Sequence, residues 1–135
     1  MIGQRKNSRG IRILENVEKV NIAQKFTLFN DYWVPYIVGD LNESYVKVDK
    51  LKGQFVWHKH DTEDELFLVT KGKLVIKLRD KDISLDPGEF VIIPKGVEHM
   101  PVADQEAHVV LIEPKTTLNT GNVRDEKTVS ELKRI

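Results

Sequence analysis

The sequence predicts an all-β protein, an antiparallel sandwich or barrel preceded by a short helical segment near the N-terminus. Three observations lead there. Short apolar stretches bounded by Gly, Pro, Asp or Asn recur every 8–12 residues between positions 44 and 112. No helical periodicity intervenes between them, which excludes a helix-covered parallel sheet. The stretch 73–79 alternates, with Leu74, Ile76 and Leu78 on one face and Lys73, Val75, Lys77 and Arg79 on the other.

The elements follow in chain order. Residues 1–12 carry Arg5, Lys6 and Arg9 among polar neighbours and read as a flexible basic tail. Residues 13–44 read as an N-terminal packing segment. Within it Ile22, Phe26 and Phe29 recur near helical spacing, predicting a short helix around 22–30 that stops before Pro35. Trp33 and Tyr36 are expected to anchor this segment to the main body. Residues 45–113 form the barrel, with strands expected at Ser44–Leu51, Gly53–His60, Glu65–Val69, Lys73–Arg79, Ile83–Asp86, Phe90–Pro94 and Ala107–Ile112. Lys71-Gly72 and Asp86-Pro87-Gly88 mark turns. Residues 114–135 read as a loop rich in Thr, Asn and Gly, then a short helix over Thr128–Ile135. The whole reads as one domain, as 135 residues suit.

Bulk composition bounds the function. Twenty-one basic residues balance twenty-one acidic ones. That balance gives no electrostatic reason to expect nucleic acid or an anionic membrane as partner. With no cysteine in the chain, disulfides, thiolate metal sites and cysteine nucleophiles are excluded. No apolar run approaches the roughly 20 residues that span a bilayer, and no apolar stretch follows the charged start as in a secretory signal. A cytoplasmic protein is the expectation.

The chain has four histidines, and three stand in one pattern: Gly53-x4-His58-Lys59-His60-x4-Glu65-x6-Gly72, followed by Gly88-x5-Pro94-x-Gly96-x2-His99. On a strand, residues two apart share a face, so His58 and His60 point together and Lys59 points away. A hairpin through Asp61–Asp64 would bring Glu65 opposite the pair. A closed barrel could bring His99 to the same place. Three imidazoles and a carboxylate suit a divalent first-row metal, and fewer than six protein ligands leave positions open for substrate, water or dioxygen. On the same alternation Phe55, Trp57 and Lys59 point away from the metal, the aromatic pair toward the N-terminal segment or a second subunit.

This double pattern resembles the two motifs of the cupin superfamily, as found in small single-domain bacterial cupins. The first family motif is Gly, five residues, His-x-His, three or four residues, Glu, six residues, Gly. Here the first gap is four. The second motif ends in an asparagine three residues past the histidine, where this chain has Ala103. The resemblance implies a cupin-type jelly roll and assigns His58, His60, Glu65 and His99 as ligands to one divalent ion, Fe, Mn, Ni or Zn. That asparagine is not a ligand in the family, so the ligand set is intact, while its absence argues against borrowing a particular reaction.

His108 shares a face with Val110 and Ile112. It is a candidate acid or base lining the cavity or a support for the metal ligands, or else a hydrogen-bonded barrel histidine or one on the outer face. Phe67, Leu74, Ile76, Phe90 and Met100 are candidate wall or core residues. The expected function is a metal-dependent enzyme acting on a small organic molecule, by dioxygenase-type oxidation or by isomerisation of a sugar or sugar acid. The alternative is a non-catalytic small-molecule-binding or sensor cupin. The resemblance also implies a homodimer.

Overall fold

A computed structural model describes residues 2–6, 8–10 and 12–135. Ten strands and one helix follow in the order β1 Ile2–Lys6, β2 Arg12–Asn16, α1 Ile22–Phe26, β3 Tyr36–Leu41, β4 Ser44–Gln54, β5 Glu65–Lys71, β6 Leu74–Leu78, β7 Asp82–Leu85, β8 Phe90–Ile93, β9 His99–Pro114 and β10 Lys133–Arg134. The strand β1, in the stretch read as a flexible basic tail, pairs antiparallel with β2, most of which belongs to the packing segment. Met1, Asn7 and Ile11 of that stretch lie outside the described residues.

The remaining eight strands make one sheet, ordered β10-β3-β4-β9-β5-β8, with β6 joining β9 to β7. It is antiparallel throughout except where β10 runs parallel to β3. The sixteen-residue β9 organises it. Its start, His99–Val102, pairs with β6, His108–Ile112 pairs with β5, and β4 runs beside it from Val102 to Pro114. One long strand thus ties β4, β5 and β6 together.

The barrel interior is filled by Leu51, Phe67, Val69, Leu74, Ile76, Leu85, Ile93, Val109 and Leu111. A second apolar cluster lies on the outer face, where Phe26 and Phe29 cover Val48 and Val110. Asn21 caps the covering helix, its Oδ1 accepting from Gln24 N at 3.0 Å. The helix is shorter than the spacing predicts: it ends at Phe26, and Phe29 reaches the same cluster from the following loop.

Four other differences have physical causes. The stretch 36–41, read as part of the packing segment, is a strand. Asn42, at φ +53, turns the chain back tightly enough to pair it with β4. The strand expected over Gly53–His60 ends at Gln54. Its continuation touches β9 at Phe55 N to Pro101 O (3.0 Å) and again at His58 N to His99 O (3.0 Å). Three chain steps there oppose two, so the alternation slips. The strand expected over Ala107–Ile112 extends back to His99. The helix expected over Thr128–Ile135 is replaced by β10, whose neighbour Ile135 donates to Ile37 O at 3.1 Å. The open edge of β3 offers ready partners, whereas a helix this short bears the full cost of nucleation.

Candidate metal centre

His58, His60, Glu65 and His99 converge. One ligand atom from each lies within 4.8 Å of all the others, and all four side chains are buried. Three features of the chain bring them there. The reciprocal bonds between His58 and His99, N to O at 3.0 and 2.9 Å, lock the two motifs face to face. His60 O accepts from Gly96 N at 2.8 Å, fixing the turn before His99. Glu65 opens β5 opposite Ile93 of β8.

The imidazoles are oriented for coordination. His58 Nδ1 lies 2.8 Å from Val56 O, and His99 Nδ1 lies 2.9 Å from Val97 O. A carbonyl can only accept, so each Nδ1 carries a proton, and Nε2 is the nitrogen that a neutral ring has left to offer as a ligand. Nε2 of His60 and of His99 both stand 3.3 Å from Glu65 Oε1. Neither ring nitrogen of the buried His60 has a hydrogen-bond partner among the described residues. A buried imidazole without partners, turned on the same carboxylate oxygen as its neighbour, fits a site built to share a cation. The donor set of three nitrogens and one carboxylate is suited to a divalent first-row metal.

Electrostatics agree. Burial, reinforced by His99, lowers the His58 imidazole to about 4, keeping it neutral and available as a ligand at neutral pH. Burial alone would raise Glu65. The contacts with His60, His99 and Glu113 outweigh it and hold the carboxyl well below its ordinary value.

The sequence left out three inward charged groups. Lys47 and Asp49 on β4 and Glu113 on β9 are all buried. Lys47 Nζ donates to Glu113 Oε1 at 2.8 Å. Burial first, then the nearby Glu65 carboxylate, raises both Asp49 and Glu113 well above the usual carboxylate range. The centre therefore holds one carboxyl that keeps its charge and two that hold their protons to higher pH. Asp49 and Glu113 line a cavity of about 20 Å³ together with His58 and Glu65.

Other candidates fall elsewhere. Phe55, expected to point away, lines this cavity; its ring stacks on Trp33 at 4.8 Å and meets His58 edge-on at 5.3 Å. The slip after Gln54 turns it inward. Trp57 does face out, under the Arg79 guanidinium at 3.8 Å, and Lys59 reaches Asp61 at 3.5 Å. Phe67 is a cavity wall, Leu74, Ile76 and Met100 are buried, and Phe90 is 59% exposed on β8. His108 lies on the outer face, stacked on Phe26 at 4.3 Å with Nε2 2.6 Å from Glu106 Oε2. It belongs to the contact with α1 and does not join the quartet.

The segment after β9 packs against the chain at Lys59, between the two histidines. Asn122 N donates to Lys59 O at 3.0 Å, and Lys59 N donates to Asn122 Oδ1 at 2.9 Å. Gly121, at φ +56, packs so close to Lys59 O that a Cβ would collide with it, and Asn119 lines the inner cavity. The loop read from sequence is a strap over the histidines.

With fold and site in view, the relatives fall into place. The family model described as the cupin domain matches residues 45–114. The chain belongs to the cupin family. This cupin is similar to the Bacillus subtilis protein YdbB, 30% identical over 89 residues that cover 58% of this chain and 79% of that one. It is 25% identical to Bacillus subtilis acireductone dioxygenase over 77 residues, 53% of this cupin but only 43% of that enzyme. Among solved structures it is similar to a cupin-2 domain protein from Shewanella frigidimarina. The identity is 45% and the TM-score 0.70, covering 71% of this chain and 94% of that one.

Proposed function

We propose that this cupin is a metal-dependent enzyme acting on a small organic molecule, with one divalent ion held by His58, His60, Glu65 and His99. The observation that carries the reading is the pair of Nδ1 contacts to Val56 O and Val97 O, which fixes both rings and leaves Nε2 as the ligand nitrogen. Metal-binding histidines are held in this way by hydrogen bonds at the far nitrogen. When bound, such an ion would polarise a substrate oxygen or, if redox-active, support dioxygen chemistry.

The protein's own residues would set the surroundings. Trp33, Phe55, Phe67 and Leu111 give the inner side apolar walls, and the strap around Gly121 packs against Lys59 and His58. Of the two chemistries, oxidation with dioxygen is favoured by the partial likeness to acireductone dioxygenase. A binding barrel without catalysis would not require four converging ligands. Phe90 and Ile92, both more than half exposed on the edge strand β8, support the homodimer that this reading also carries. Sedimentation as a monomer at micromolar concentration would remove that part alone.

The test is reconstitution with iron, manganese, nickel and zinc, each followed by oxygen uptake against a panel of diketones, thiols and catechols. The expected result is uptake with a redox-active ion and none with zinc or with His58→Ala. Conversion by the zinc form without oxygen uptake would overturn the oxidative reading in favour of isomerisation.

A further inference from the structure

Two carboxyls outside the metal quartet face the cavity of about 20 Å³ behind it, Asp49 from β4 and Glu113 from β9. They are 5% and 2% exposed. Asp49 Oδ1 and Glu113 Oε2 have no hydrogen-bond partner among the described residues. Lys47 takes only the other oxygen of Glu113, at 2.8 Å. A buried polar atom left unmatched costs about 1–3 kcal/mol, and native proteins meet that demand with a protein group or an ordered water. Two unmatched oxygens at one small cavity are therefore a site.

Size and walls limit the ligand. One water needs about 10–15 Å³ by the same measure, whereas drug-sized ligands take roughly 300 Å³ or more. Trp33, Phe55, Phe67 and Leu111 supply apolar walls that cannot support a longer chain of waters. The ligand must be compact, able to bond to two carboxyls at once, and content with apolar contact elsewhere.

We infer that this cavity binds a single water molecule between Asp49 and Glu113, on the inner side of the quartet, and that these two carboxyls are its positioning residues. The water sits beside His58 and Glu65, among the apolar walls of Trp33, Phe55, Phe67 and Leu111. The inference rests on the cavity and the two free oxygens, so it holds whether or not the quartet carries an ion.

The test has two arms on the full chain. High-resolution crystal structures of chelated and metal-loaded protein should both show one water bonded to Asp49 Oδ1 and Glu113 Oε2. Oxygen-17 relaxation dispersion, which counts long-lived internal waters, should lose one water in Asp49→Leu and keep it in Asp49→Asn, which retains the polar contact. A protein group bonded to Asp49 Oδ1 in place of water, or an unchanged count in Asp49→Leu, would overturn the inference. Should Asp49→Leu fail to fold, the wild-type crystal structures decide the matter alone.

Discussion

His99 Nε2 and Glu65 Oε1 stand 3.3 Å apart across 34 residues of sequence, both buried in the wall of the barrel. The pair joins the end of one motif to the end of the other. It makes the quartet a property of the closed fold, since neither half alone brings a carboxylate to three imidazoles. Metal affinity should therefore be linked to folding. The melting temperature of chelated protein is expected to rise with added divalent metal, by the equivalent of about 2.7 kcal/mol at a hundredfold excess over the dissociation constant. Glu65→Ala should lose most of that response in differential scanning calorimetry.

Acid sensitivity should carry the signature of His58. Its folded value, about 4, lies below the ordinary 6.5. Its contribution to stability is thus fully present above 6.5 and lost as pH falls through 4. Asp49 and Glu113, shifted upward, act in the opposite direction, so a comparison between variants isolates the histidine. In metal-free protein, wild type should lose stability relative to His58→Gln between pH 6.5 and 4. The difference is on the order of 3 kcal/mol, at about 1.4 kcal/mol per pH unit. Urea melts across that range give the difference, and parallel curves would count against a buried neutral His58.

Removing one member of the Lys47–Glu113 pair should be severe. Both side chains are 1% exposed and 2.8 Å apart. Lys47→Met strands a carboxyl in the interior, at an expected cost of about 3–5 kcal/mol, while Lys47→Met with Glu113→Leu should recover much of it. A double-mutant cycle by urea denaturation measures the coupling; additive losses would mean that the contact contributes little.

The strap makes a local prediction. Gly121→Ala places a methyl group against Lys59 O at a positive φ that alanine rarely adopts. The strap should lift at a cost of about 1–3 kcal/mol. A lifted strap exposes His60, so a loaded metal should pass to a chelator faster than from wild type in a stopped-flow assay.

Much of this centre was legible in the sequence because its information is local. His58, His60 and Glu65 sit at fixed spacing with a glycine beyond, and His99 follows a Pro-x-Gly turn. Lys47 and Asp49 were hidden for a physical reason. In Val46-Lys47-Val48-Asp49 alternation by itself would bury the valines and solvate the charges. The valines in fact pack under Phe26 and Phe29, and the charges point into the barrel. A strand covered on both faces defeats alternation. Phe55 was misassigned because period two was carried through a slip that only the pairing with β9 reveals. His108 shares the face of Val110 and Ile112, but no local signal says that α1 covers that face.

Elemental analysis tests the central claim most directly. Purified protein, as isolated or after reconstitution, should hold close to one divalent ion per chain, and His58→Ala combined with His60→Ala should hold none while keeping its β-sheet circular dichroism. Absence of metal from the wild type even after reconstitution, or equal metal in the folded double variant, would contradict it.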